Sequence, residues 1–306
     1  MPKVLIATVK PFSGAAVSEV KKVFTEAGYE VALLEKYGAQ SELIAAVADV
    51  DAVIIRSDNI DREVIEAAKN LKIVVRAGAG YDNVDLAAAS ENGVVVMNTP
   101  GQNSNAVAEL AMGMMVYLNR QGFNGSAGTE LRGKKLGIHA YGYVGRIVGM
   151  IAKGFGMKVY AYDPFVSRVI IENDGVVCES SAEDLYGKCQ FISLHIPVTN
   201  ETRESVNFEL LNKMPKGATL VNTARKEVID EKSLLKIFKS RDDFRYISDI
   251  APDCKAEIEK EFPDRYFFTP KKMGAQTAEA NLNAGVAAAH QIVDFIEKGD
   301  ITFKVN

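Results

Sequence analysis

Two glycines and an acid are spaced along residues 135–163 as a dinucleotide-binding turn requires. An apolar run leads into Gly142 and Gly145, a pattern typical of a helix follows, and a second apolar run ends at Asp163. Glycines let the backbone approach a pyrophosphate, and the N-terminus of the following helix offers free N–H groups to it. Asp163 lies 18 residues after Gly145, near the spacing at which an acid can bind the hydroxyls of a ribose. The stretch predicts a dinucleotide site, although Ala140 stands at the first glycine position of the motif.

Polar side chains also follow other apolar runs of the sequence. Arg225 lies just beyond the run 219–223, and its planar guanidinium suits a carboxylate. Asp249, and the pair Arg56 and Ser57, end further runs in the same way. Because ligands bind at the carboxyl ends of the strands in open α/β sheets, these residues are candidates for a binding site. Each of them could instead be a surface residue on a strand–helix loop.

A turn of small residues at 76–85 (RAGAGYDNVD) follows another apolar run. Such a turn can expose backbone N–H groups that bind an anion, but it could equally be structural. A phosphorylated substrate would need donors and cations of this kind.

Histidine, a common proton carrier, occurs only three times. The positions of His139 in an apolar run and of His290 on an alanine-rich helical pattern favour packing roles. His195 ends an apolar run and is the best placed of the three. Lys271 and Lys272 follow a later run, and a lysine can act as acid or base where burial or a nearby cation lowers its pKa. The alternative is two solvated loop lysines.

The elements that must position these residues form two α/β series. In both, short apolar runs alternate with helical patterns, which indicates parallel βαβ units. The glycine-rich stretch 122–133 separates the series and could be a linker or an oligomer contact. A terminal helical pattern follows the second series, so we expect the chain to return to the first domain. The predicted fold is α/β, with two Rossmann-like or flavodoxin-like parallel sheets. The predicted domains are a substrate domain, residues 1–98 plus 286–306, and a dinucleotide-binding domain, residues 99–285.

Composition excludes several classes of protein. The chain has 306 residues, 47% of them hydrophobic, and a net charge of −4, so it has ample core and no basic face for nucleic acid. Its three cysteines are far apart without a C-x-x-C pair, which argues against disulfides and against a metal site. The N-terminal apolar run at 4–9 is too short for a signal peptide, and no later run reaches membrane-spanning length. We expect a cytoplasmic protein without a metal.

Taken together, seven stretches resemble the D-isomer-specific 2-hydroxyacid dehydrogenase family in their order along the chain. They are RAGAGYDNVD, QNSNAVAEL, ELRGKKLGI, the glycine turn with its flanking strands, SLHIPVTNET, VNTARKEVID and TPKKMGAQTAEAN. The resemblance covers nearly the whole chain and is greatest to short D-3-phosphoglycerate dehydrogenases. It implies a discontinuous substrate domain, an NAD-binding domain, an active site between them, and a homodimer formed through the NAD-binding domain.

The resemblance also implies roles for individual residues. Arg225 matches the arginine that binds the substrate carboxylate and carbonyl, and Asp163 matches the ribose-binding acid of enzymes that use NAD rather than NADP. The pyrophosphate loop is matched by Gly142, Tyr143, Val144 and Gly145. Residues that line the cofactor are matched by His195, Pro197, Thr202, Thr223, Ala224 and Asp249. Substrate-side residues are matched by Arg56, Ser57, Ala79, Gly80 and Asn103.

Two departures from the family pattern concern the proton. The family's acid/base histidine is replaced by Lys271, or by Lys272 if the loop is aligned from its other end. The histidine's usual glutamate partner is replaced by Cys254, with Asp253 beside it. A carboxylate would raise the pKa of a lysine, whereas the cation of Arg225 would lower it. We therefore expect a lysine general base rather than an inactive protein.

The function implied is NAD-dependent oxidation of 3-phosphoglycerate, at the start of serine synthesis. The alternatives are another enzyme of the family, such as a hydroxypyruvate or glyoxylate reductase, or a non-catalytic protein that senses NAD. We also expect this chain to lack the C-terminal serine-sensing domain of longer relatives, and hence their feedback inhibition by serine.

Overall fold

A computed structural model describes residues 1–306. The strands are β1 (Lys3–Thr8), β2 (Glu30–Glu35), β3 (Ala52–Ile55), β4 (Ile73–Arg76), β5 (Val95–Asn98), β6 (Lys135–His139), β7 (Lys158–Tyr162), β8 (Val177–Cys178), β9 (Phe191–Leu194), β10 (Thr219–Asn222), β11 (Arg245–Ser248) and β12 (Tyr266–Phe268). The α-helices are α1 (Gly14–Glu26), α2 (Gln40–Val47), α3 (Arg62–Ala67), α4 (Leu86–Glu91), α5 (Ser104–Asn119), α6 (Tyr143–Gly154), α7 (Arg168–Asn173), α8 (Ala182–Lys188), α9 (Phe208–Asn212), α10 (Glu231–Ser240), α11 (Lys255–Glu261) and α12 (Ala278–Lys298). Short 3-10 turns lie at Gln121–Phe123 and Lys226–Val228.

The chain divides into two compact units. Unit 1 comprises Met1–Asn103 and Gln276–Asn306, and unit 2 comprises Ser104–Ala275. The divisions thus lie after Asn103 and Ala275 rather than after residues 98 and 285. All of α12 belongs to unit 1 because its buried alanine face packs against α1. The functions assigned to the two domains stay predictions.

Unit 1 is built on a five-stranded parallel sheet with the order β2-β1-β3-β4-β5, as in flavodoxin-like folds. The inner strands are short runs of Val, Ile and Ala that are buried almost throughout, as expected for strands covered on both faces. Helices α1 and α12 contribute to the core on one face, and residues of α2, α3 and α4 to the core on the other.

The last residues of the chain lie along β5, the edge strand of this sheet. Lys304 forms an antiparallel bridge with Met97, and the N–H of Val305 donates to the carbonyl of Val96 at 2.9 Å. The side chain of Asn306 accepts the N–H of Val96, also at 2.9 Å. The backbone of β5 is therefore paired on both sides.

Unit 2 is built on a seven-stranded parallel sheet with the order β12-β11-β10-β9-β6-β7-β8. Counted from β6, this is the Rossmann order with one further strand, β12. The strand order reverses between β6 and β9, and the crevice at that reversal is where such sheets bind ligands. The predicted α/β fold with two parallel sheets is confirmed. The two-residue strand β8 was not predicted, because it is too short to give an apolar run.

None of the helices combines the length and the apolar character needed to cross a membrane.

Candidate functional site

The glycine turn after β6 leaves open space at the N-terminus of α6. A Cβ atom on Gly142 would meet nothing within 4 Å, whereas one on Gly145 would lie 2.4 Å from the carbonyl oxygen of Ala140. Gly145 is therefore required by the fold itself, and Gly142 is not. No side chain caps the N-terminus of α6, so its first N–H groups are available to an anion. Ala140 has a φ of 77°, the left-handed region in which glycine is favoured, and so the missing glycine of the motif carries a conformational cost.

Asp163 follows β7, the strand next to β6. One carboxylate oxygen accepts the N–H of Tyr141 at 2.7 Å, and the other accepts the N–H of Phe165 at 2.8 Å. These bonds fix the carboxylate beside the glycine turn. Each oxygen retains a second lone pair, so the group can still accept hydrogen bonds from a ribose diol.

The loop after β9 begins at the reversal of strand order. The N–H of His195 donates to the carbonyl of His139 at 2.9 Å, and its Nε2 lies 2.9 Å from the Oγ of Ser193. Burial, and secondarily the charge of His139, lower the pKa of His195 to about 3, while burial lowers that of His139 to about 4. Both imidazoles are thus neutral and weakly basic at physiological pH, which makes them poor proton acceptors. Farther along the loop, the Oγ1 of Thr202 donates to the carbonyl of Pro197 at 2.6 Å.

Arg225 lies in the loop after β10, and Asn222 at the end of that strand positions it. The Asn222 side chain accepts the N–H of Ala224 and donates to the carbonyl of Arg225, each at 2.9 Å. The Oγ1 of Thr223 is buried without a hydrogen-bond partner, so a polar group of a ligand could supply one. Sequence reasoning missed Asn222; an amide that closes a buried apolar strand was the available signal.

Asp249 ends β11 and anchors the loop that carries the candidate lysines. Its carboxylate accepts the N–H groups of Met273 at 2.7 Å and Gly274 at 2.8 Å, and the hydroxyl of Thr269 at 3.0 Å. Asp249 is 1% exposed, so these bonds form in a buried environment, where charge-assisted bonds are strong. The side chains of Lys271 and Lys272 are exposed.

The residues at the place of the family's glutamate have partners of their own. The carboxylate of Asp253 forms an ion pair with the ammonium group of Lys226. The N–H groups of Asp253 and Cys254 both donate to the carboxylate of Glu231 at 2.8 Å. Burial raises the pKa of the Cys254 thiol to about 12, so it is uncharged at neutral pH. In unit 2, the position of the family's glutamate therefore bears no carboxylate.

In unit 1, Arg56 follows β3 and is bound within its own unit. Its Nη1 donates to the carbonyl oxygens of Lys10 at 2.9 Å and Pro11 at 3.1 Å, and its Nη2 donates to Asn281. The guanidinium also lies 5.1 Å from the centre of the Phe12 ring. These contacts link the loop after β1 to the start of α12, so Arg56 has a structural role whether or not it also binds substrate.

The end of β4 brings a second arginine, Arg76, to the same sheet edge. A Cβ on Gly78 would lie 1.5 Å from the Nη1 of Arg76, so that guanidinium lies directly against the turn. The Nε of Arg76 donates to the carbonyl of Arg56 at 3.0 Å. Ala79 is exposed and its carbonyl accepts the side chain of Asn98 at 2.6 Å. Arg76 was not among the sequence candidates, although it is the last residue of β4 and Arg56 directly follows β3.

Each unit thus gathers its candidates at the carboxyl edge of its sheet. In unit 1, Arg56 and Ser57 follow β3, Ala79 and Gly80 follow β4, and Asn103 follows β5, and these three strands are neighbours. In unit 2, the candidates follow β6, β7, β9, β10, β11 and β12. No three His, Cys, Asp or Glu side chains cluster as metal ligands would.

Comparison with known proteins supplies a family. The model of the D-isomer specific 2-hydroxyacid dehydrogenase catalytic domain matches residues 6–306. The D-3-phosphoglycerate dehydrogenase of Methanocaldococcus jannaschii is 36% identical over 169 residues, which are 54% of this chain and 32% of that protein. The hydroxypyruvate reductase of Thermotoga maritima is 36% identical over 173 residues, 54% of each protein. The matched stretches thus span between about a third and about a half of these two relatives.

Similarity to a solved structure extends along the entire chain. That structure is the NAD+-bound 3-phosphoglycerate dehydrogenase of Entamoeba histolytica, which is 48% identical with a TM-score of 0.90. The match covers 100% of this chain and 98% of that one.

Proposed function

Because this chain belongs to the D-isomer specific 2-hydroxyacid dehydrogenase family, we propose that it oxidises 3-phosphoglycerate to 3-phosphohydroxypyruvate with NAD. The observation that carries the proposal is the full-length likeness to the NAD+-bound enzyme of Entamoeba histolytica. The turn of unit 2 supports the cofactor assignment, because Gly142 leaves space at an uncapped helix N-terminus and Asp163 lies beside it. An acid at that position suits the free 2′-hydroxyl of NAD and would repel the 2′-phosphate of NADP.

Residues of unit 2 would bind NAD through groups already described. The N–H groups at Tyr143 and Val144 would bind the pyrophosphate, and Asp163 would accept the ribose hydroxyls. The unpartnered hydroxyl of Thr223 would meet a polar group of the ligand. When bound, the nicotinamide supplies the site that accepts a hydride from the carbon bearing the hydroxyl group.

Arg225 and a lysine would bind the substrate and accept its hydroxyl proton, respectively. Arg225 would bind the substrate carboxylate and stabilise the developing carbonyl, since a guanidinium binds such oxygens in bidentate fashion. A neutral amine of Lys271 or Lys272 would take the hydroxyl proton. The weak basicity of the buried His139 and His195 supports a lysine in this role.

The substrate phosphate requires cations, and two arginines lie at the carboxyl edge of unit 1. Arg56 is the predicted ligand, and Arg76 is added because its guanidinium lies against the turn at Gly78. The N–H groups of Ala79 and Gly80 would bind the carboxylate.

A second candidate activity is reduction of hydroxypyruvate or glyoxylate. The 36% identity to the hydroxypyruvate reductase of Thermotoga maritima favours it. Hydroxypyruvate and glyoxylate lack a phosphate, so a reductase would not need Arg56 and Arg76 as phosphate ligands. A non-catalytic NAD-binding role is the third possibility, and the loss of the family's histidine supports it.

One assay separates the three. NADH formation would be measured with 3-phosphoglycerate, D-glycerate and D-lactate, and NADH consumption with hydroxypyruvate, glyoxylate and phosphohydroxypyruvate. We expect turnover to be far greater with the phosphorylated pair. Preference for the unphosphorylated compounds would indicate the reductase, and NAD binding without turnover would indicate the sensing role.

We further propose that the protein forms a homodimer through unit 2. That unit has several exposed apolar side chains, among them Phe123, Met150 and Phe155, which are 64, 62 and 44% exposed. A contiguous exposed apolar patch is a common feature of association surfaces. Sedimentation equilibrium of the wild type and of Met150→Glu would test this, with a monomeric wild type contradicting it.

A further inference from the structure

Two cations lie at the amino edge of the sheet in unit 2, opposite to the edge that carries the catalytic candidates, with strands β9 and β10 between them. Arg245 is the first residue of β11, and Lys134 directly precedes β6. Both side chains are partly buried. Neither forms a hydrogen bond or an ion pair through its charged group, in contrast to Arg241, which binds Asp243 at 2.6 Å.

Thr219 and Phe191 fill the space between these cations. The parallel register pairs Phe191 with Thr219 and Thr219 with Arg245, so the three side chains project from the same face of the sheet. The ammonium group of Lys134 lies 6.0 Å from the centre of the Phe191 ring. The four residues therefore form one continuous strip, here called the Lys134–Arg245 strip.

The strip contains a buried polar atom without a partner. Thr219 is 1% exposed, and its hydroxyl makes no hydrogen bond. Buried polar groups are nearly always satisfied, so an unsatisfied hydroxyl between two cations calls for an explanation. A ligand with acceptor oxygens would provide one.

Helix α5 ends towards the same edge of the sheet. Its last residue carries further buried polar atoms without hydrogen-bond partners. Near its start, Val107 lies beside Gly274 at the carboxyl edge, and near its end, Tyr117 contacts Phe267 of β12. The helix thus runs from the carboxyl edge towards the amino edge. Its last residue, Asn119, is 2% exposed, and neither its Oδ1 nor its Nδ2 has a partner.

The strip carries two positive charges, and no negative charge of the chain balances them. Burial, and secondarily the charge of Arg245, lower the pKa of Lys134, and burial lowers the pKa of Arg245. No carboxylate lies close enough to either cation to raise its pKa. Two like charges close together and partly desolvated are unfavourable unless an anion neutralises them.

We propose that the Lys134–Arg245 strip binds a phosphate group, with the hydroxyl of Thr219 as a third donor. A dianion matches two cations, and guanidinium, ammonium and hydroxyl groups are the usual donors to its oxygens. The site lies apart from the predicted substrate and cofactor groups of unit 2, which follow the carboxyl ends of the strands. It does not depend on the proposed enzymatic function.

The test measures binding of inorganic phosphate by titration calorimetry at constant ionic strength, with glycerol 2-phosphate in a parallel series. Lys134→Gln and Arg245→Gln should each weaken binding at least about tenfold, since bonds to charged groups are strong. Thr219→Val should weaken it about threefold while leaving the unliganded protein equally stable or more stable, because a buried unsatisfied hydroxyl is removed. Tighter binding of the ester than of free phosphate would identify a phosphorylated metabolite as the ligand.

Lys158→Gln is the matched control, because Lys158 is an exposed cation at the start of the neighbouring strand β7. It should bind phosphate as the wild type does. Phosphate binding of unchanged affinity and stoichiometry in both cation variants, or an equal loss in the control, would overturn the proposal. Absence of binding to the wild type would also overturn it. If Arg245→Gln fails to fold, the isosteric Thr219→Val still decides the matter.

Discussion

The carboxylate of Asp249 accepts the backbone N–H of Gly274 at 2.8 Å, so the end of β11 fixes the loop after β12. The contact is close enough that a Cβ on Gly274 would lie 3.0 Å from that oxygen. The lysines proposed to carry the proton lie two and three residues before Gly274, so their placement depends on a buried carboxylate on another strand.

Asp249→Asn should therefore destabilise unit 2 and slow turnover. One acceptor oxygen becomes an NH2 group that faces backbone N–H donors, which should reduce the free energy of unfolding by about 1–3 kcal/mol. Denaturant titration would measure the change. The control is Asp253→Asn, which removes an exposed ion pair and should cost at most about 1 kcal/mol. Equal effects of the two substitutions would contradict the anchoring role of Asp249.

Substitutions of the two motif glycines should distinguish an effect on folding from an effect on NAD binding. Gly142→Ala should leave thermal stability nearly unchanged but weaken NAD binding, because its methyl group enters space that the chain does not use. Gly145→Ala should impair both, because its methyl group would lie 2.4 Å from a backbone oxygen. Thermal melts together with calorimetric titration of NAD would check this pair. Unchanged NAD affinity in Gly142→Ala would argue against a pyrophosphate at this turn.

Ala140→Gly should stabilise the protein. Its φ of 77° costs an alanine about 1–2 kcal/mol, and the greater freedom of glycine in the unfolded chain offsets part of the gain. We expect a net increase of up to about 1 kcal/mol in the free energy of unfolding. Ala152→Gly in α6, which has ordinary helical geometry, should instead be destabilising. A destabilised Ala140→Gly would show that the methyl group contributes packing that outweighs the strain.

Replacement of the proton-carrying lysine should lower kcat more than it changes KM. Proton transfer by a positioned side chain contributes about 10²–10⁴-fold, so Lys271→Ala or Lys272→Ala should lose that much. Steady-state kinetics with 3-phosphoglycerate would identify which one. Lys260→Ala, an exposed lysine on α11, serves as the control. Unchanged rates in both loop variants would rule out a lysine base.

Burial of His139 should make stability depend on pH. The imidazole binds a proton near pH 6.5 when unfolded and near pH 4 when folded, so between these values the unfolded chain binds more protons. Its contribution is complete above pH 6.5 and is lost as pH falls towards 4, by at most about 1.4 kcal/mol per pH unit. His139→Asn should flatten this part of the profile, because the buried imidazole is removed. Denaturant midpoints between pH 4.5 and 7.5 would measure it, and parallel profiles would contradict it.

The sequence predicted what depends on local pattern. The dinucleotide motif has its strand, glycine turn, helix and acid where expected. Each of these is specified by the apolar periodicity and the glycines of its own segment. Partners distant in sequence were not predictable. Arg56 binds Asn281, 225 positions away, and Asp249 binds a loop more than twenty residues later. The positive φ of Ala140 was also not predictable from the sequence, because alanine rarely adopts the left-handed conformation.

The pairing of residues 304–306 with β5 has a consequence for behaviour at high concentration. An uncovered edge strand offers a row of N–H and C=O groups to which the strand of another molecule can add, and this is a common start of aggregation. Here the N–H and C=O groups of Val96 are taken by Asn306 and Val305 of the same chain. This side of unit 1 is therefore closed to strand addition, and disruption of those few contacts would expose a template for misassembly.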